Sequence, residues 1–305
     1  MKNLLFIFIV LATSTAHSQD YSEFEFPMAE SSLLWEISGH ELKEPSYLFG
    51  TIHVISAENY FFPDTLDSLL SHSDALMMEI DLNLDPAGLM DLITLKEGTI
   101  HDFFTEPQMD SLLTWAEINM GASKETLDMV VGNLKPFALS LIIENIELLK
   151  VTMDGPKDES DTTKTIESYE MNLSDKAKEY SLSNLALETI EEQISFFDEL
   201  PNDIQAESVM SAIRGDSTAH VPLEEYYLTQ DVDAVYNLID SLGGLFSDQK
   251  DIFLTQRNQN WIPKIELAIS AQKTFIAVGA GHLGGPNGVI RLLQRAGYTL
   301  KPIRL

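Results

Sequence analysis

Thr274-Phe275-Ile276-Ala277-Val278-Gly279-Ala280-Gly281-His282-Leu283-Gly284-Gly285-Pro286 runs from an apolar strand straight into a glycine-rich turn. No other stretch of the chain has so clear a strand signal. Beyond the turn, Asn287 or Gly288 starts a helix that ends near Gly297, and Tyr298 to Ile303 reads as a last strand. Strand, tight turn and helix make the repeating unit of α/β sheets, in which ligands gather beyond the carboxyl ends of the strands. The literal dinucleotide-loop match Gly279-x-Gly281-x-x-Gly284 fails as such. That fold needs a further βα unit and an acidic residue about 20 positions on, and no Asp or Glu follows the loop.

The start of the chain carries a weak echo of its end. Leu33-Leu34-Trp35-Glu36-Ile37 reads as a strand, Ser38-Gly39-His40 as a turn and Ser46-Tyr47-Leu48-Phe49 as the returning strand, leading into Gly50-Thr51-Ile52-His53. Strand, then Gly-x-x-His, therefore occurs at both ends. Pro63-Asp64 opens a helix through Leu66, Leu69 and Leu70, and Ala75 to Ile80 is a short apolar run holding one carboxylate, Glu79. Residues 86 to 150 carry apolar side chains at helical spacing, among them Leu134, Phe137, Ala138, Leu141 and Ile142. A polar loop is expected over 154–164, a helix over 167–180, and a short strand over Asn184 to Glu188. A helix through Ile190, Ile194 and Phe197 follows, then several helices over 202–272 with breaks near Pro222 and Gly243-Gly244. Strands at both ends around a long helical middle predict an α/β (α+β) fold, a central mixed β-sheet flanked by helices.

Composition narrows the function. The 305 residues include 19 basic and 48 acidic side chains, for a net charge of −29. Such a surface repels phosphate backbones, which argues against nucleic-acid binding. Its simplest consequence is solubility. The absence of Cys removes thiol nucleophiles, thiolate metal sites and disulfides, so any metal must be held by His, Asp, Glu or backbone oxygen. Lys2, the apolar run Leu4 to Leu11, and the small residues Ala16 and Ser18 read as a signal peptide over 1–18, cut before Gln19. A single domain over 19–305, periplasmic or secreted and without a membrane span, is the expectation.

The chemistry-bearing candidates lie at the strand ends. His53 and His282 each stand three residues after a Gly and just beyond an apolar strand. With Glu79 they make a divalent-metal shell with room for water, the alternative being two structural histidines. A carboxylate inside an apolar run, as Glu79 is, must be paired, protonated or metal-bound. Glu188 is either a general base at a strand end or a charge suited to a helix N-terminus. Arg257, in a chain poor in cations, either binds a substrate carboxylate or oxyanion or forms a salt bridge at the core edge.

Taken in order, these segments resemble the TraB/GumN family. The resemblance rests on Leu34-Trp35-Glu36-Ile37, Tyr47 through His53, Ser73-Asp74-Ala75-Leu76 with Glu79, Ser168-Tyr169-Glu170, Leu187 through Gln193, Arg257-Asn258, and Val278 through Gly288. That family is similar to the Tiki metalloproteases, which use two Gly-x-x-His motifs and a divalent cation, and its fold is likened to erythromycin esterase and ChaN. The resemblance implies an exported metal-dependent hydrolase, a peptidase acting on a peptide or protein. Manganese, cobalt or zinc would be bound by His53, His282 and Glu79. Glu188 or Glu170 would handle the water, and Arg257 the substrate. The rival expectations are a non-catalytic envelope protein that captures a peptide signal or a haem-like ligand, and an esterase-like hydrolase.

Overall fold

The computed structural model describes residues 31–82, 86–144, 166–215, 220–241 and 251–305. The expected signal peptide over 1–18, the stretch 19–30, the loop expected over 154–164 and the break expected near Gly243-Gly244 lie outside the described residues. The strands are β1 (Leu34–Ser38), β2 (Ser46–Thr51), β3 (Ile55–Ser56), β4 (Ala75–Met78), β5 (Ile166–Glu167), β6 (Ser183–Ala186), β7 (Thr274–Gly279) and β8 (Thr299–Ile303). The first helices are α1 (Asp64–Ser71), α2 (Pro86–Ile93), α3 (Glu106–Met120), α4 (Lys124–Val131), α5 (Pro136–Glu144) and α6 (Tyr169–Glu179). The later ones are α7 (Ile190–Asp198), α8 (Asn202–Arg214), α9 (His220–Leu228), α10 (Val232–Ser241), α11 (Arg257–Ala271) and α12 (Val289–Arg295).

The chain divides into two compact units. The larger holds a six-stranded sheet in the order β6-β4-β7-β2-β1-β8. Strands β6, β4, β7 and β2 run parallel, while β1 is antiparallel to both β2 and β8. The sheet is thus mixed, as the sequence leads one to expect. β2, β4 and the body of β7 are buried along their length, the pattern of parallel strands covered on both faces. Its edges differ: β6 is mostly exposed, and β8 carries Lys301 and Pro302, residues that discourage further strand pairing. Two features are not legible in the sequence. One is the small antiparallel pair β3–β5, with Ile55 opposite Glu167. The other is a π-helical turn, Asp251–Gln256, which runs directly into α11.

The smaller unit is helical. Leu112 and Ala116 of α3, Leu127 and Val131 of α4, Leu139 of α5 and Val209 of α8 share one core. Lys135 pairs with Asp198 at 2.6 Å, and the rings of Phe137 and Phe197 stack at 4.8 Å.

In the larger unit, close packing places the turn after β7 against β2. A Cβ on Gly50 would lie 2.7 Å from Leu283 Cδ1 and 3.2 Å from Ala280 Cα, so only glycine lets the two motifs touch. Asp233 of α10 then clips the glycine-rich turn. One carboxylate oxygen accepts from the Gly285 N–H at 2.8 Å and from Arg291 Nη1 at 3.0 Å, and the other accepts from Arg291 Nη2 at 3.0 Å. Burial alone would raise the Asp233 pKa, but these bonds outweigh it and lower it. The contribution is therefore complete above the ordinary Asp range and fades as pH falls through the lowered folded value. Asp233→Asn should cost about 1–3 kcal/mol near pH 7. The gap from wild type, read by urea unfolding, should narrow on acidification below about pH 4; a gap independent of pH would refute the clip.

Candidate functional site

All six residues singled out from sequence meet at one edge of the larger unit. The carboxyl ends of the four parallel strands are Thr51, Met78, Ala186 and Gly279. His53, Glu79, Glu188 and His282 stand between one and three residues beyond those ends, while Glu170 comes from the first turn of α6 and Arg257 starts α11. A parallel sheet delivers all four strand-end side chains to the same rim because the strands end at the same level.

The centre of the cluster is a guanidinium between two carboxylates. Arg257 Nη2 donates to Glu79 Oε2 at 2.6 Å and to Glu188 Oε2 at 2.8 Å, and Nε reaches both Glu188 oxygens at 3.0 Å. Its Nη1 faces the Phe253 carbonyl and His282 Nε2, each at 3.3 Å. Glu188 also accepts from Trp261 Nε1 at 2.8 Å. Glu79, Glu188, Arg257 and His282 are all less than 9% exposed. Burying three ions is costly, and the fork-like pairing with further N–H donors is what offsets that cost.

The electrostatics follow from this packing. Burial would raise the Glu79 pKa, but Arg257 first, then His53 and the Gly279 N–H at 2.9 Å, hold it down to about 2. For His282 burial dominates, helped by the positive Arg257 and His53, and its pKa falls to about 3, so it is neutral. His53 has the opposite fate. Burial works against its charge, but Glu170, whose Oε1 lies 2.9 Å from Nδ1, raises it to about 9. Glu170 itself is lowered, burial being outweighed by His53 and by the Thr51 hydroxyl at 2.8 Å. The side chains of His53 and Glu170 are 20% and 18% exposed, so water reaches the cluster at that pair.

Could these residues hold a cation? Among the described residues no three His, Asp or Glu side chains already form a closed ion-binding group. The donors nevertheless converge. A Cβ built on Gly279 would lie 3.4 Å from Glu79 Oε1, 3.7 Å from His53 Nε2 and 3.7 Å from His282 Cδ2. One imidazole nitrogen, a carboxylate oxygen and the Cδ2 edge of a second imidazole thus face a space kept clear by the lack of a side chain at 279. By donor type the set suits a divalent transition ion. It is wider than a closed shell, with Glu79 Oε1 3.9 Å from His282 Nε2.

The sequence marks Gly279 as the glycine ahead of His282 and Asn258 as the neighbour of Arg257, but gives no role to Asn258, Trp261 or Thr51. Trp261 shares a helix face with Arg257 at spacing i, i+4, a signal that becomes visible only once Arg257 is known to point inward. The TraB/PrgY/gumN family profile matches residues 33–302, and the chain belongs to that family. No match is found among curated proteins or among solved structures.

Removing the central cation should be severe. Arg257→Met leaves Glu79 and Glu188 buried without their partner and should cost about 3–5 kcal/mol. Equilibrium urea unfolding measures this, and a loss under about 1 kcal/mol would mean that the pairing is not holding the site together.

Proposed function

We propose that the protein is an exported hydrolase, a peptidase of the cell envelope, that works with a divalent cation held by His53, His282 and Glu79. The observation that carries this reading is the convergence of His53 Nε2, Glu79 Oε1 and the His282 ring on the space above Gly279, at the carboxyl ends of parallel strands. The resemblance to Tiki-type metalloproteases supports the choice of peptide as substrate and of manganese, cobalt or zinc as ion. The leader-like residues 1–18 support export, and among the described residues no helix is long and apolar enough to cross a membrane.

A divalent cation there supplies Lewis acidity, and with it a water acidic enough to act as nucleophile near neutral pH. The protein's own groups do the rest. Arg257 holds one oxygen of Glu79, leaving Oε1 turned to the shared space. Glu188 takes N–H bonds from Arg257 and Trp261 on its two oxygens, which suits it to positioning rather than to accepting a proton. Glu170 is better placed for proton transfer: it is partly exposed and bonded to His53 Nδ1. To hold a cation, His53 would present Nε2 without its proton, and Glu170, bonded to Nδ1, would keep the ring oriented. For Arg257 to take a substrate carboxylate, it would first have to release a buried one of its own.

Protein stripped by a chelator and titrated with manganese, cobalt or zinc, with peptide cleavage followed by mass spectrometry, tests the reading. Cleavage should disappear with the ion and return with at least one of the three; full activity after complete chelation would sink it. Gly279→Ala offers a second check. Its backbone, at φ −52° and ψ 135°, accepts alanine, and the new methyl would make ordinary contacts. The fold should survive, while cation affinity falls by about tenfold or more, as for other perturbations around a ligand shell. Unchanged affinity measured by calorimetry would place the ion elsewhere.

A further inference from the structure

Asn258 follows Arg257 on α11 and is 2% exposed. Its amide nitrogen donates to the His282 carbonyl at 3.3 Å and to the Asn287 carbonyl at 2.9 Å. Those two carbonyls can only accept, so the nitrogen must face them and the amide cannot be flipped. The oxygen is then left for His282 Nδ1, 2.7 Å away. An amide oxygen also only accepts, so Nδ1 carries the imidazole proton. Arg257 Nη1, which can only donate, lies 3.3 Å from Nε2, so that nitrogen accepts and carries the lone pair. Trp261 packs on the ring with centroids 4.4 Å apart, which hinders it from swinging to another orientation.

The geometry points to Asn258 as a positioning residue: it locks His282 in the Nδ1–H tautomer and so leaves the lone pair on Nε2, which faces Arg257 Nη1 at the rim shared with Glu79 and His53. The inference rests on the cation reading for its purpose, though the tautomer itself does not. The two histidines are thereby prepared by different partners. His53 is oriented by a carboxylate that favours its charged form, His282 by an amide that selects a tautomer without adding charge. Carboxylate-oriented and amide-oriented imidazoles differ in basicity, so the two nitrogens offered to one ion are unequal donors.

The test uses the whole mature chain labelled with ¹⁵N-histidine, in wild type, Asn258→Asp and Asn258→Leu forms. Long-range proton–nitrogen NMR reads the tautomer, and calorimetry with zinc or manganese reads affinity. Wild type should show His282 protonated at Nδ1 and bare at Nε2. Asn258→Asp keeps an acceptor for Nδ1 but loses both bonds to the carbonyls, so it should melt earlier yet keep the tautomer. Asn258→Leu should shift His282 toward Nε2–H and weaken cation binding by about 10–100-fold. A wild-type His282 protonated at Nε2, or an Asn258→Leu protein with tautomer and affinity both unchanged, overturns the assignment. If the tautomer responds as stated while wild type binds no ion, the positioning role stands and the cation reading falls.

Discussion

The site stands on one guanidinium. Arg257 is enclosed by Glu79 and Glu188, and each carboxylate arrives on a different strand of the same parallel sheet. Without it both carboxylates would be buried with no cation beside them, and without them the guanidinium would be buried with no anion. The interdependence fixes α11 against the ends of β4, β6 and β7. Asn258 and Trp261, on the same helix, reach His282 and Glu188 only because Arg257 has already set the helix's rotation.

Around this anchor the cluster is divided electrically. The inner part, with Glu79, Glu188, Arg257 and a neutral His282, is buried, its two carboxylates sharing one guanidinium. The outer pair, His53 and Glu170, keeps a charged imidazole in partial contact with solvent. A single rim therefore holds one histidine that resists protonation and one that favours it, a few ångströms apart around Gly279. Environment, not residue type, separates them, because the two motifs in the sequence are alike.

Much of this was legible in the chain. The strand Thr274–Gly279 and its glycine turn, the opening hairpin and the carboxylate in the run at Glu79 all point to strand ends as the place for chemistry. Apolar runs mark buried strands well, because burial on both faces leaves little choice of side chain. What could not be read is which buried group meets which. Arg257 suggested a hand for the substrate or a salt bridge at the core edge, and its hydrogen bonds run to the protein's own carboxylates. Glu188 suggested a base, and both its oxygens are bonded by Arg257, with Trp261 adding a further N–H. Asn258 stood in the Arg257-Asn258 pair with no role of its own, since an Asn on a helix ordinarily faces water. Pairings between residues tens to hundreds of positions apart depend on strand order, and that order is a property of the folded sheet.

The indole of Trp261 lies within the cluster, fully buried, with Arg257 5.0 Å from the ring centroid and His282 4.4 Å away. The protein thus carries its own optical gauge: an indole packed against a guanidinium and an imidazole emits in a field set by the charges around it.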